Sequence, residues 1–277
     1  EKFPVSKSYS EIVLENYDAI VKNIDFGHAD AVKTINKWSS QHTEKMIPEI
    51  IDDIDAGTVA FMTNAVCFQG KWKEKFDVSN TSESKFSTID AMVTRKEYMH
   101  IQKEFNYSES ADGKIQMCEL PYGNGAFVMD IILPGYDVDF KAFIGDLGRK
   151  YWREMFTYSG KHKVDLSLPK FKLETDNDIT KALNELGMRL PYDQQNADFS
   201  RMCSTSDQKC WISKTIQKAI IEVDESGSKA AAVTKHRAKG FGDVSSQMIG
   251  FNCDHPFVFI IRETSSDVIL FMGTITK

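Results

Sequence analysis

The sequence has no CxxC pair, no HExxH, no GxSxG and no glycine-rich phosphate loop. It also lacks any stretch long and apolar enough to span a membrane: the longest apolar run, AFVMDIILP from Ala126 to Pro134, contains an aspartate and has the length of a strand. Its five cysteines, Cys67, Cys118, Cys203, Cys210 and Cys253, are odd in number and without metal-ligand spacing. They point neither to a disulfide framework nor to a zinc site. Cys203 and Cys210 flank STSDQK and would pair in an oxidising compartment, though two free thiols are the preferred reading. The histidines, His28, His42, His100, His162, His236 and His255, sit in no hydrolase signature. A Ser/His/Asp set can be picked from almost any chain of this size, so the protein is not read as an enzyme.

Positive charge is scarce as well. Lys and Arg total 34 against 40 Asp and Glu, a net charge of −6, and phosphate recognition needs a clustered cationic excess. The one basic run, Lys235-His236-Arg237-Ala238-Lys239, is short and reads as a solvated loop, so no nucleic-acid partner is expected. Asn80-Thr81-Ser82 and Asn106-Tyr107-Ser108 match the glycosylation sequon, a weak pattern that matters only in a eukaryotic secretory setting.

What is present is patterned. Ser10 to Ile24 reads as a helix with Ile12, Tyr17, Ile20 and Val21 near one face, and Ala29 to His42 as an amphipathic helix carrying Val32, Ile35 and Trp38. Thr58 to Phe68 is a buried strand ending at Gly70. Short strands are expected around Met99, over Met117 to Leu120 and over Ala126 to Leu133, before a Pro134-Gly135 turn. Phe140 to Phe156 looks helical, and VDLSLP (Val164 to Pro169) alternates as a half-buried strand. Asp176 or Asn177 is placed to cap a helix that runs to Leu186 and stops at Gly187. Trp211 to Val223 is a long alternating strand. PFVFIIRE and VILFMGTI, separated by TSSD, read as an antiparallel hairpin. Helices and strands are mixed rather than strictly alternating, without repeats or linkers, which makes the class α+β in one domain.

Between the long strand and the closing hairpin lies VDESGSKAAAVTKHRAKGFGDVSS, Val223 to Ser246. From Ser228 every second residue is mostly small: Ala230, Ala232, Thr234, His236, Ala238, Gly240. The other set, Lys229, Ala231, Val233, Lys235, Arg237 and Lys239, is mostly cationic. Period two puts one set on each face of a strand, one smooth and one wet. A permanent loop has no need of that alternation, whereas a segment that must become a strand inside a packed sheet does. Gly227 stands where the preceding strand must bend back to allow it.

At this point the sequence resembles the serpins, from about Ile24 to the end of the chain. IEVDESGSKAAAVT (Ile221 to Thr234) is similar to their hinge, and FNCDHPFVFIIRE and ILFMGTI to their closing strands. TNAVCFQGKWKEKF resembles the strand and breach segment, CELPYGNGAFVMDIILP the gate, LSLPKFKLE the strand with a breach lysine, and ADFSRM follows in the family's order. The resemblance implies one serpin domain over 1–277, with a large central mixed sheet, further sheets, surrounding helices and an exposed reactive-centre loop at about 225–250. A block of N-terminal helices and a strand of that fold is absent. The opening residues EKFPVSKSYSE enter in mid-fold, which leaves room for a leader upstream.

The function implied is suicide-substrate inhibition of serine, or cysteine, proteases. The loop is cut, the protease is held as an acyl-enzyme, and the severed loop enters the central sheet. Carried over by position, Glu225, Gly227 and Ser228 match the hinge, and Ala230, Ala231 and Ala232 belong to the run that inserts. Trp72 and Lys170 match breach positions, with Lys170 set to pair with Glu225. Asn64 matches a polar position under the sheet, and Gln217 stands where many members have histidine. The family's register, counted from the hinge glycine, puts the cut bond at Phe241-Gly242, with Lys239 and Arg237 as alternatives. Phe241 implies a chymotrypsin-like, elastase-like or subtilisin-like target, and the basic residues a trypsin-like one. Lys229 and the bulky His236 depart from the family's pattern. The resemblance implies no cofactor and no metal, a monomer, and a secreted, periplasmic or cell-surface location, with an intracellular one left open. NKWSSQHTEKMIPEIIDDID is loosely similar to bacterial members. The rival readings are a non-inhibitory serpin (carrier, chaperone or storage protein) and an inactive fragment.

Overall fold

The computed structural model describes residues 4–147, 154, 156–202, 210–228 and 248–277. They group into two compact units, Glu1–Cys67 with Leu173–Ile221, and Phe68–Lys172 with Glu222–Lys277. Strands and helices are numbered in chain order.

In the first unit, α1 (Lys7–Tyr17) starts and stops earlier than its apolar spacing indicates. Ser6 Oγ accepts the Tyr9 amide, and Asp18 turns left-handed at φ 50, so both ends are set by capping. α2 (Asp30–His42) follows the expected span. Its polar face holds the next segment in place: Ser39 Oγ donates to the Ile47 carbonyl at 2.9 Å, and Asn36 Oδ1 accepts the Ile50 and Ile51 amides. Ile47 and Ile50 are thereby packed with Ile35 of α2 and with Ile216 and Ile220 of β9 (Ile212–Asp224).

β1 (Ala60–Cys67) runs parallel to β9, from Ala60↔Ile212 to Cys67↔Ile220. Phe61, Ala65 and Cys67 pack against this core, while Met62 and Asn64 on the opposite face are exposed. The strand is therefore half-buried, where its apolar composition predicts full burial. β8 (Phe171–Asp178) also pairs with β9, and Lys218 Nζ reaches Glu174 at 3.2 Å and Asp176 at 3.8 Å. Asp176 and Asn177 are thus strand residues, and neither caps a helix. α4 (Thr180–Glu185) begins after them, with Asp178 Oδ1 accepting the Thr180 amide at 3.0 Å.

The second unit is built on an eight-stranded sheet. Its strands are β3 (Ser82–Ser87), β4 (Val93–Ser110), β5 (Ile115–Tyr122), β6 (Phe127–Pro134), β7 (Phe156–Pro169), β11 (Ile249–Asn252), β12 (Phe257–Glu263) and β13 (Ile269–Ile275). The order is β11-β7-β4-β5-β6-β12-β13, with β3 also on β4. β11 is parallel to β7, the other pairs are antiparallel, and β12–β13 is the expected hairpin. α3 (Phe140–Leu147) buries Phe143 and Leu147 against Met117, Ile132, Val258 and Ile260. Phe156, where the helix from Phe140 was expected to end, instead opens β7 and pairs with Ser110. β4 and β7 run well beyond the short strands read from alternation. Their polar halves are held by each other, residue by residue from Tyr98↔Pro169 to Ser110↔Phe156. A buried charge pair lies deep in this sheet: Arg262 of β12, 2% exposed, contacts Asp130 of β6 at 2.6 Å, and also Glu119 at 3.0 Å and Asp267 at 3.1 Å.

Candidate functional site

β9 ends at Asp224, whose Oδ1 accepts the amides of Ser226 at 2.8 Å and Gly227 at 3.2 Å. That side chain folds Glu225-Ser226 into a two-residue loop, as short polar side chains do in turns. The chain then returns as β10 (Gly227–Ser228). β10 is antiparallel to β9, pairing Gly227↔Asp224 and Ser228↔Val223. On its other side it pairs with β2 (Gly70–Lys71), as Gly227↔Lys71 and Ser228↔Gly70. Gly227 and Ser228 thus form a strand flanked on both sides.

The fit leaves no room for a side chain at Gly227. Its φ is +144, and a Cβ there would lie 2.0 Å from the Gly70 carbonyl oxygen. Gly70 is tight in turn, since its Cβ would come within 2.8 Å of the Tyr122 ring and 2.9 Å of Phe68. Ser228 has no exposed surface, and its Oγ is 2.9 Å from the Tyr122 hydroxyl.

Trp72 organises the turn. Its indole is buried and stacks on Tyr122 with ring centroids 4.3 Å apart and planes at 15°. Nε1 donates to the Asp224 carbonyl at 2.8 Å and the Trp72 amide to the Ser226 carbonyl at 3.0 Å, while the Phe76 amide donates to the Glu225 carbonyl at 3.1 Å. Three successive turn carbonyls are satisfied from one short segment, as buried backbone requires.

The Glu225 side chain points back into the same cluster. Oε1 accepts the Thr81 hydroxyl at 2.7 Å, and Oε2 lies 3.5 Å from Lys170 Nζ, which also meets Glu97 at 3.6 Å. Burial opposes ionisation of this carboxyl. The Thr81 hydroxyl, the residue's own backbone and Lys170 together outweigh it and hold the carboxyl below its ordinary range. Burial also pushes the Tyr122 phenol well up, only partly offset by the Ser228 hydroxyl.

The structure therefore places Trp72, Lys170, Glu225, Gly227 and Ser228 in one cluster of the second unit. Asn64 and Gln217 are cross-strand neighbours on β1 and β9 in the first unit. Asn64 shares with Met62 the face of β1 opposite the apolar core of this unit. Ala230, Ala231, Ala232, Arg237, Lys239, Phe241 and Gly242 lie outside the described residues, as do Lys229, His236 and Cys203.

Four residues of the cluster were missed by sequence reasoning. Thr81 was visible only as the middle of a sequon, and Tyr122 only within CELPYGNGAFVMDIILP, the segment similar to the gate. Gly70 and Asp224 carry no local mark beyond ending a strand.

A family model described as Serpin (serine protease inhibitor) matches residues 1–277. The chain is 32% identical to the neuroserpin of Gallus gallus, covering 99% of this chain and 68% of that protein. It is 34% identical to the leukocyte elastase inhibitor of Homo sapiens, covering 94% of this chain and 70% of that protein. Among solved structures it is similar to a thermophilic serpin, tengpin, in the native state, with a TM-score of 0.89 and 27% identity over 100% of this chain and 70% of the other. No helix among the described residues is long and apolar enough to cross a membrane.

Proposed function

Because the chain belongs to the serpin family, whose members are mostly protease inhibitors, we propose that the whole protein is a suicide-substrate inhibitor of serine proteases. A target protease attacks the loop, at Phe241-Gly242 in the reading preferred here, and its nucleophile forms an ester with the new C-terminal end. The severed loop, continuing from Ser228, then enters as a strand beside β9, displacing β1. The protease is carried along and its acyl-enzyme is trapped.

The observation that carries this reading is the state of β10. Gly227 and Ser228 are already strand residues, paired to β9 on one side and β2 on the other. Further on, β9 pairs directly with β1 through Cys67↔Ile220 to Ala60↔Ile212. An inserted strand would replace that one ladder with two. Each ladder hydrogen bond returns a net of about 0.5–1.5 kcal/mol, against roughly 1–2 kcal/mol for fixing each residue's backbone. With two ladders and a small-residue face, the balance favours insertion. With β10 in place, the first turn need not be nucleated.

With Phe241 at the cut bond, the partner is a chymotrypsin-like, elastase-like or subtilisin-like protease; Lys239 or Arg237 would select a trypsin-like one. The protein acts as a monomer, outside the cytoplasm where such proteases work. The test mixes the full-length protein with one protease of each type on a denaturing gel. A covalent complex is expected, and the mass of the released C-terminal peptide identifies the cut bond. Proteases that stay free and active, with no gain in thermal resistance of the nicked protein, would overturn the reading in favour of a non-inhibitory member.

A further inference from the structure

The chain between β11 and β12 is fastened where backbone pairing has to stop. Carrying the β12–β6 register two residues beyond Val258↔Ile132 sets Pro256 opposite Pro134. Neither proline has an N–H, so no ladder bond can form between them. A side chain supplies the donor instead: His255 Nε2 lies 2.6 Å from the Pro134 carbonyl oxygen. The other ring nitrogen, Nδ1, lies 2.8 Å from Asp254 Oδ1. The imidazole is 8% exposed and stacks on the Tyr136 ring, with centroids 4.0 Å apart and planes at 29°.

Both oxygens are acceptors. A carbonyl has no proton to give, and an aspartic acid surrenders its own far more readily than an imidazolium does. A neutral imidazole carries one N–H, which would leave a ring lone pair facing an oxygen lone pair at one of the two contacts. We infer that His255 is held as an imidazolium, with a proton on each nitrogen, and that it is a pH-sensitive tie between the chain after β11 and the end of β6. Its counter-charge is Asp254. Of the other titratable groups around it, the Tyr98 phenol and the Cys253 thiol are pushed well up by burial, and the Tyr136 phenol up to about 12, so all three are neutral. Lys114 and Asp137, on either side of the Gly135 turn, are paired with each other at 2.6 Å.

The folded chain therefore keeps a proton that the unfolded chain gives up sooner as pH rises. The tie is fully present in acid and is lost as pH climbs. Glu225 has the opposite sense, because its carboxylate contributes only when ionised. Glu225 precedes residues 229–247 and His255 follows them, so the two attachments flanking that segment weaken at opposite ends of the pH scale. This holds whether or not the protein inhibits a protease.

The experiment records nitrogen-15 spectra of the histidine rings in the full-length protein at pH 7.5, where an ordinary imidazole is mostly neutral. His255→Leu identifies the signal, and Asp254→Asn removes the counter-charge. The His255 ring is expected to carry both protons in the wild type and to be neutral in Asp254→Asn. A neutral ring in the wild type, or a charged one that Asp254→Asn leaves unchanged, overturns the proposal. In urea, His255→Leu is expected to raise the unfolding equilibrium constant roughly tenfold or more at pH 6, the scale of a hydrogen bond to a charged group, and less than about threefold at pH 9. A purely structural ring would give equal losses at the two pH values, and that result overturns the proposal as well. Should His255→Leu fail to fold, the spectra of the wild type and Asp254→Asn decide the charge by themselves.

Discussion

The Thr81 hydroxyl donates to Glu225 Oε1 at 2.7 Å across 144 positions of sequence. That bond is the short contact of the Glu225 carboxylate; the Lys170 ammonium is farther, at 3.5 Å, and is shared with Glu97. A hydrogen bond to a charged group contributes more than one between neutral groups, about 1.5–3 kcal/mol. Thr81→Val, which keeps the shape and removes the donor, is expected to destabilise by about that amount. Lys170→Ala should cost less, about 1 kcal/mol, because a partly exposed ammonium is solvated and screened. Urea denaturation of both variants beside the wild type checks the order, and a larger loss for Lys170→Ala would contradict it.

The same carboxyl makes stability depend on acid. Its folded value is held below the ordinary 4.5. The group therefore contributes stability that is fully present above the unfolded value and lost as pH falls through the folded one. Glu225→Gln removes this contribution at neutral pH. The gap between wild type and variant is expected to be widest near pH 7 and to narrow below about pH 4.5. Thermal melts across that range give the comparison; a gap independent of pH would contradict the assignment.

Gly227→Ala meets two obstacles at once. The φ of +144 lies outside the range of other L-residues, and the new Cβ would lie 2.0 Å from a backbone oxygen that no rotamer change can move. The backbone angle alone costs about 1–3 kcal/mol. The variant is expected to give up the pairing of β10, seen as loss of amide protection at 227–228. Gly250→Ala, where nothing lies within 4 Å of the added carbon, should leave it unchanged.

Arg262→Met leaves Asp130 buried at 0% exposure with its closest cation gone. Removing one partner of a buried pair typically costs about 3–5 kcal/mol, whereas replacing both by apolar groups is often neutral. Arg262→Met alone is expected to lower the denaturation midpoint sharply, and Arg262→Met with Asp130→Leu to recover most of it. Equal losses in the two variants would show that the charge pair is not the determinant.

Particular residues show how far the sequence could be read. The apolar runs PFVFIIRE and VILFMGTI and the short loop TSSD located the β12–β13 hairpin, because register there is local. The spacing of Ile35 and Trp38 located α2 for the same reason. β4 was read short because its polar half is held by β7, a partner distant in sequence, and alternation carries no trace of such a partner. Asp176 was read as a cap because an acid before a helix looks the same as an acid on an exposed strand paired with Lys218.

By itself, the sequence determined the family and the two-faced pattern after Ser228, since both depend on residue type and order along the chain. Only the tertiary structure decided that Ser228 is paired on both sides, that its hydroxyl meets Tyr122 and that Thr81 bonds Glu225. Those facts depend on which distant side chains share a volume, and a hydroxyl's partner 106 or 144 positions away leaves no periodic mark in the chain.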